Sequence, residues 1–193
     1  MRNVYLQCVV FLVVLGMALP LGATSILPLD LEDLCNRSDS IVLGTVLSAE
    51  PQTMQFGSST LDTVQYRVKV EESFKGAVTI KDGVSVAELT MLGNLKSLPV
   101  NGSVTRISSV PGLPQLQVGQ RYLLFTTPPS PVGLSTTVGL GTGCFEVSGE
   151  GDKAVVLNEF NNAGVFQGLP GMPSSGPVTY SAVADQLHEI LGH

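Results

Sequence analysis

The sequence predicts a mainly β, single-domain protein, a small barrel or sandwich with one short helix near each end. Apolar residues take every second position from Val64 to Val70, and polar residues stand between them, which is the period of a half-buried strand. The continuous apolar run at residues 122–125 is bounded by turn residues and suits a strand buried on both faces. With 193 residues the chain is long enough for one well-buried domain and short for two.

Composition narrows the classes of function. Hydrophobic residues make up 44% of the chain and charged residues 13%, which favours a packed domain over a disordered chain. The net charge is -6, and the basic clusters that an electrostatic nucleic-acid binder needs are missing from the sequence. Nucleic acid is therefore excluded as a partner.

Residues 1–23 predict a cleavable export signal. Arg2 and the free amine form a positive n-region, and an almost wholly apolar run follows at residues 8–19. Cleavage is expected after Ala23 or after Ser25. An uncleaved anchor is the alternative, but the run is shorter than the ~20 residues that span a bilayer. The prediction is a secreted or periplasmic protein with no stable membrane span after cleavage.

The β domain is predicted over residues 26–157, beginning with a short helix. Asp30 can cap a helix that runs to Arg37, with an apolar face that includes Leu34. Residues 41–49 then predict a strand, in which Gly44 marks a bend because an interior glycine usually accompanies a bulge or a close backbone approach.

The polar segment 50–60 predicts a connection between the first strand and the alternating one. A plain hairpin loop and a recognition loop at the rim of a barrel are both compatible with its composition. Gly119 predicts a turn before the apolar run. Further strands are predicted at residues 83–92, 103–110, 134–140 and 144–148, with an edge piece at 154–157.

The last part of the chain predicts a linker and a helix. Residues 158–179 are rich in Gly, Pro, Asn and Ser, which is typical of a loosely ordered linker. In the final segment, 180–193, apolar residues recur at helical spacing and include Val183 and Leu187. An amphipathic helix that packs on the barrel or on a partner is expected there.

Four segments carry a resemblance to known proteins: SDSIVLGTV, TVQYRVKVEESFKG, LQVGQRYLLF and VGLGTGCFEV. Their succession, over roughly residues 34–147, resembles a group of uncharacterised exported bacterial proteins. At lower similarity it resembles the netrin-like domain of tissue inhibitors of metalloproteinases, which implies an OB-like barrel of five strands. Those inhibitors place an N-terminal cysteine on the protease zinc, whereas cleavage here exposes Thr24 or Ile26, so the resemblance does not carry that mechanism over.

Cys35 and Cys144 are the two cysteines that remain after leader removal. Export to an oxidising compartment makes a disulfide between them one hypothesis. It would close a loop on the order of 100 residues, worth about 4 to 5 kcal/mol in chain entropy. Two buried free thiols are the alternative, because cysteine is often fully buried in cores.

No other residues form a recognisable catalytic, cofactor or metal set. His188 and His193 are five residues apart, off the spacing that puts two ligands on one helical face. Glu71 and Glu72 are adjacent in a predicted strand, so they should point to opposite faces and not flank one substrate.

The expected function is a non-enzymatic binding module acting outside the cytoplasm, with an unidentified protein or small ligand. The rim predicted for binding consists of residues 50–60 and 93–102. The alternative is an inhibitor or regulator of an exported metalloprotease, which would insert a loop into the protease cleft.

Overall fold

The computed structural model describes residues 29–93 and 112–192, which form one antiparallel sheet with a helix before it and a helix after it. The helices are α1 (Leu31–Arg37) and α2 (Tyr180–Leu191). The strands are β1 (Ser40–Phe56), β2 (Ser59–Lys75), β3 (Thr79–Lys81), β4 (Val84–Leu92), β5 (Arg121–Thr126), β6 (Cys144–Ser148), β7 (Val155–Asn158) and β8 (Val178–Thr179). Short 3₁₀ turns occupy Leu140–Gly143 and Gly151–Lys153.

The eight strands follow the order β3-β4-β2-β1-β5-β6-β7-β8. β3 and β8 are the two edges, so the ladder of described strands is open. The predicted mainly β class with terminal helices is confirmed, while closure into a barrel is not shown. In the connection after β5, the Ser135 amide donates to the Thr90 carbonyl of β4 at 2.9 Å.

Helix α1 has the cap that the sequence predicts. The Asp33 amide donates to Asp30 Oδ1 at 2.8 Å, which satisfies one of the orphan donors of the first turn. Leu31, Leu34 and Cys35 share the buried face. At the other end Lys75 Nζ donates to the Cys35 carbonyl at 2.9 Å, which ties the helix to β2.

The long hairpin β1–β2 is the centre of the sheet. Val64, Tyr66 and Val68 are buried on one face, as the alternation predicts. The ladder shifts register beside Gly44, where an added Cβ would lie 2.3 Å from the Lys69 carbonyl oxygen. Gly44 therefore lies at a bulge with a close backbone approach to β2, as an interior glycine in a strand predicts.

Two apolar cores lie on the two faces of this sheet. The helix-side core combines α1 and α2 with alternate residues of β1, β5, β6 and β7. The far-side core takes the other residues of β1, β2, β4, β5 and β6 and is covered by Leu116. Leu123 and Phe125 face the first core while Tyr122 and Leu124 face the second, so β5 is buried on both sides as predicted.

The segment predicted as a loose linker, 158–179, is packed against the helix-side core. Val165 and Phe166 are fully buried in it. The buried Asn162 side chain donates to the carbonyls of Val156 at 3.0 Å and Gly176 at 2.8 Å and accepts from the Asn158 amide at 2.8 Å. Such side-chain bonds satisfy backbone groups that have no ladder partner, which explains how an irregular, glycine-rich segment can be ordered.

Of the remaining predicted elements, the C-terminal helix is confirmed and two strand predictions are wrong. Helix α2 is confirmed, with Val183 and Leu187 buried in the helix-side core. Residues 134–140 form no regular strand, since their β pairing is limited to an isolated bridge of Thr126 with Thr137, so the strand predicted there is wrong. β7 lies between β6 and β8 and is not an edge. The predicted strand 103–110 and the leader lie outside the described residues.

Candidate functional site

A cleft of about 370 Å³ lies on the sheet face away from the helices, over β5, β6 and β7. Tyr122 and Cys144, which belong to the far-side core, are part of its lining. The residues that give the cleft its chemical character are Gln117, Tyr122, Cys144, Glu146, Leu157 and Glu159. The volume falls within the range of about 300 to 1,000 Å³ that is typical of small-ligand sites.

Strand alternation and register bring the cleft residues together. In β6, Cys144, Glu146 and Ser148 are two residues apart and all line the cleft, while Phe145 and Val147 face the helix-side core. Glu146 pairs with Tyr122 on one side and with Leu157 on the other. An acid, an aromatic ring and an aliphatic side chain therefore stand in one row across three strands.

The wall beside β5 is held by a tyrosine hydroxyl. The Gln117 amide donates to Tyr122 Oη at 3.2 Å, which fixes the chain just before β5 against the sheet. Burial raises the pKa of the Tyr122 hydroxyl, although this backbone hydrogen bond acts in the opposite direction. Tyr122 is thus a neutral, positioned lining group.

The opposite wall comes from the segment after β7. Asn158 accepts hydrogen bonds from the amides of Phe160 and Asn162 through its side-chain oxygen, and this turn carries Glu159 to the cleft. Glu159 packs over Gly141, where an added Cβ would lie 1.7 Å from Glu159 Oε1. Glycine is therefore required at position 141 for the carboxylate to lie where it does.

The thiol of Cys144 lies at the base of the cleft with 8% of the residue exposed. Burial raises its pKa to about 12, and the nearby carboxylates of Glu159 and Glu146 act in the same direction. Both carboxylates therefore lie close enough to the buried sulfur atom to disfavour its thiolate form. The thiol is protonated at neutral pH.

The disulfide hypothesis is wrong, because Cys35 and Cys144 are both free thiols. Cys35 is part of the helix-side core and Cys144 part of the far-side core, so the sheet lies between them. Burial raises the pKa of Cys35 to about 11, against a smaller opposing effect of Lys75. The alternative from sequence, two buried free thiols, is what the structure has.

Glu71 and Glu72 point to the same face, contrary to the prediction. Leu43 pairs with Glu72 whereas Gly44 pairs with Val70, so Glu71 is the extra residue of a β-bulge. Glu71 accepts from Arg121 Nε at 2.7 Å, and Glu72 accepts from the Tyr180 hydroxyl. The Tyr180 bond attaches α2 to β2 and the Arg121 bond joins β5 to β2, so both acids have a structural role.

His188 is also part of this attachment. Its Nε2 lies 3.7 Å from Glu72 Oε1, and its ring centroid is 5.2 Å from that of Phe74. His193 lies outside the described residues. The His188 ring therefore contacts the sheet, while 46% of its side chain stays exposed.

The rim predicted at residues 50–60 is a projecting two-stranded arm and not a loop. β1 continues to Phe56, a turn follows at Gly57, and β2 begins at Ser59. The ladder with β5 stops at Thr45, and the ladder with β4 starts at Thr63. The Phe56 side chain at the tip is 56% exposed. Of the second rim segment, 93–102, only Gly93 is described.

The cleft was not predicted from the sequence, although part of its lining carries a recognisable pattern. The alternation of Cys144, Glu146 and Ser148 within β6 was a signal that could have placed these three on one face. Glu159 gave no such signal, because only the packing of the 158–179 segment brings it beside β6. Its position depends on tertiary structure.

Within residues 29–93 and 112–192 no three metal-ligating side chains come together. None of the helices in this part of the chain is long and apolar enough to cross a membrane. Comparisons with models of protein families, with curated proteins and with solved structures find no match.

Proposed function

We propose that this protein is an exported, non-enzymatic binding module whose ligand occupies the cleft over β5, β6 and β7. The observation that carries the proposal is the cleft itself, with apolar surface from Leu157 and Tyr122 beside a small number of polar groups. Ligand sites are typically concave and mostly apolar, with few polar groups that set orientation. The predicted leader supports the export part of the proposal.

The chemistry of the cleft favours binding over catalysis. A cysteine nucleophile needs a lowered pKa, whereas that of Cys144 is raised to about 12. The Tyr122 hydroxyl is engaged by a backbone amide, and its pKa is also raised. Both groups are therefore protonated at neutral pH, so neither is an activated nucleophile or a general base.

An OB-like, netrin-like arrangement of the sheet is part of this proposal. The far-side core is built from five neighbouring strands, the number that the resemblance implies. The bond from the Ser135 amide to Thr90 supports a sheet that curls toward itself, because residue 135 follows β5 while Thr90 lies in β4. OB barrels commonly bind ligands through one face and its bordering loops.

A fragment titration followed by amide NMR shifts tests the proposal. Fragments should shift residues 141–148 and 157–159, and the shifts should saturate. The variant S148W is expected to obstruct the cleft and abolish them. S59W adds the same ring on the exposed arm and should leave them unchanged. Saturable shifts confined to the arm, or none in either protein, would refute a ligand site in the cleft.

Inhibition of an exported metalloprotease is the second candidate, and the projecting arm favours it. A two-stranded ribbon with an exposed aromatic tip has the shape of an element that enters a groove. Progress curves for a panel of exported metalloproteases test this function. Inhibition that is lost in F56A would support it, and full protease activity at saturating wild-type protein would exclude it for that panel.

A further inference from the structure

We infer that the cleft takes a protonated amine or guanidinium group carried on a short apolar stem. The inference rests on the proposed function, since it names the ligand class for the same cleft. Lysine and arginine side chains and free alkylamines share this chemistry.

The lining of the cleft suits an aliphatic stem. Leu157, with 37% of its surface exposed, Tyr122 and the neutral thiol of Cys144 offer apolar and weakly polar surface. The thiol makes no hydrogen bond to any residue of the described ranges. An aliphatic stem fits such a surface, because burying each methylene contributes about 0.8 kcal/mol.

Two carboxylates give the cleft negative charge. Glu146 and Glu159 come from different elements, β6 and the turn after β7, and both line the cleft. Both also raise the pKa of the Cys144 thiol, so both negative charges act at the base of the cleft. A positive head group above the thiol would be attracted by both carboxylates at once.

Neither carboxylate has a partner among the described residues. In the described part of the chain Glu71 pairs with Arg121 and Glu88 with Lys81, but Glu146 and Glu159 form no ion pair or side-chain hydrogen bond. The chain carries 16 acidic and 10 basic residues, so acids without a basic partner are expected on its surface. These two differ from ordinary surface acids because they converge on a concave, partly apolar surface.

The lining favours an organic cation over a metal ion. Calcium takes six to eight oxygen ligands and magnesium demands near-octahedral geometry. Two carboxylates from separate elements beside Leu157 and a thiol do not offer such a set. An alkylammonium needs only a few acceptors for its head and contact for its stem.

The test compares matched probes on the full protein by amide NMR shifts. Pentylammonium represents the cation on its stem, 1-pentanol the stem without charge, and Ca²⁺ the charge without a stem. Pentylammonium should bind more tightly than 1-pentanol, with shifts at residues 141–148 and 157–159. E146Q/E159Q should weaken pentylammonium binding by roughly fivefold and leave 1-pentanol unchanged. E150Q, which removes an exposed acid outside the cleft lining, is the matched control and should have no effect.

Each result of the probe comparison has a different consequence for the ligand class and for the cleft as a binding site. Equal binding of pentylammonium and 1-pentanol would overturn the inference while leaving the cleft as a binding site. Tighter binding of Ca²⁺ than of pentylammonium at these residues would replace the organic cation by a metal. Absence of binding by every probe would count against both the inference and the proposed site. Adding Ac-Ala-Lys-Ala-NH₂ distinguishes the sources, since tighter binding than pentylammonium indicates a protein side chain and weaker binding a free amine.

Discussion

Arg121 and Glu71 are fifty residues apart in sequence, yet Arg121 Nε lies 2.7 Å from Glu71 Oε2. Arg121 begins β5, and Glu71 is the bulged residue of β2. The Arg121 guanidinium carbon also lies 5.7 Å from the centroid of the Tyr180 ring, at the start of α2. The pair therefore joins two strands and the C-terminal helix at one point.

Breaking this ion pair should cost a modest amount of stability. Because both side chains are about 30% exposed, we expect a coupling energy of about 0.5 to 1 kcal/mol in a double-mutant cycle of R121Q and E71Q, measured by urea unfolding. The exposed pair Arg37–Asp33, tested by R37Q and D33N, is the control and should give about 0.3 kcal/mol. A larger coupling in the control pair would contradict this ranking.

The substitution G44A should be strongly destabilising. Its Cβ would lie 2.3 Å from the Lys69 carbonyl oxygen and 2.7 Å from Val68 Cγ1, so the central hairpin must shift. We expect a loss of about 2 to 3 kcal/mol in the free energy of unfolding. G57A, at a turn with φ 59° and open space around it, should lose only about 1 kcal/mol. Equal losses at the two positions would argue against close contact as the cause.

Removing the Asn162 amide should loosen the segment after β7. N162A leaves two carbonyls and one amide without their side-chain partner, so we expect a loss of about 3 kcal/mol. N161A is a matched control, because Asn161 has the same φ of 55° and an exposed side chain. Chemical denaturation of both variants measures the difference. Hydrogen exchange in residues 159–178 should rise in N162A alone.

The two thiols should resist alkylation in the folded protein. Buried sulfur with a raised pKa holds little thiolate at pH 8, so iodoacetamide should modify neither Cys35 nor Cys144 until urea is added. Intact mass is the measurement, made on the full-length chain with the substitution C8S. A mass increase of two hydrogens on reduction would reveal a disulfide and contradict the structure.

Alkaline pH should reduce stability through the same thiols. In the unfolded chain both titrate near the ordinary value of 9.0, whereas in the fold their pKa is about 11 for Cys35 and about 12 for Cys144. The unfolded state therefore releases protons first, and stability falls as pH rises above about 9. Unfolding of wild type and of C35A/C144A between pH 8 and 10 checks this. A wild-type slope no steeper than that of the double variant would contradict it.

Local patterns were sufficient for much of the fold. The alternation through Val68, the Asp30 cap, the close backbone approach at Gly44 and the two-sided burial of residues 122–125 each follow from a few neighbouring residues. Backbone conformation and strand periodicity act over that range. The mainly β class and both helices were therefore predictable from the sequence by itself.

The candidate site and the pairings across the sheet were decided only by the tertiary structure. Whether Cys35 and Cys144 meet depends on which face of the sheet each one joins, and whether Glu71 and Glu72 diverge depends on one bulge. Glu159 reaches the cleft because buried Asn162 orders a segment whose composition alone indicates a loose linker. These outcomes depend on contacts between residues far apart in the chain, which periodicity and composition do not encode.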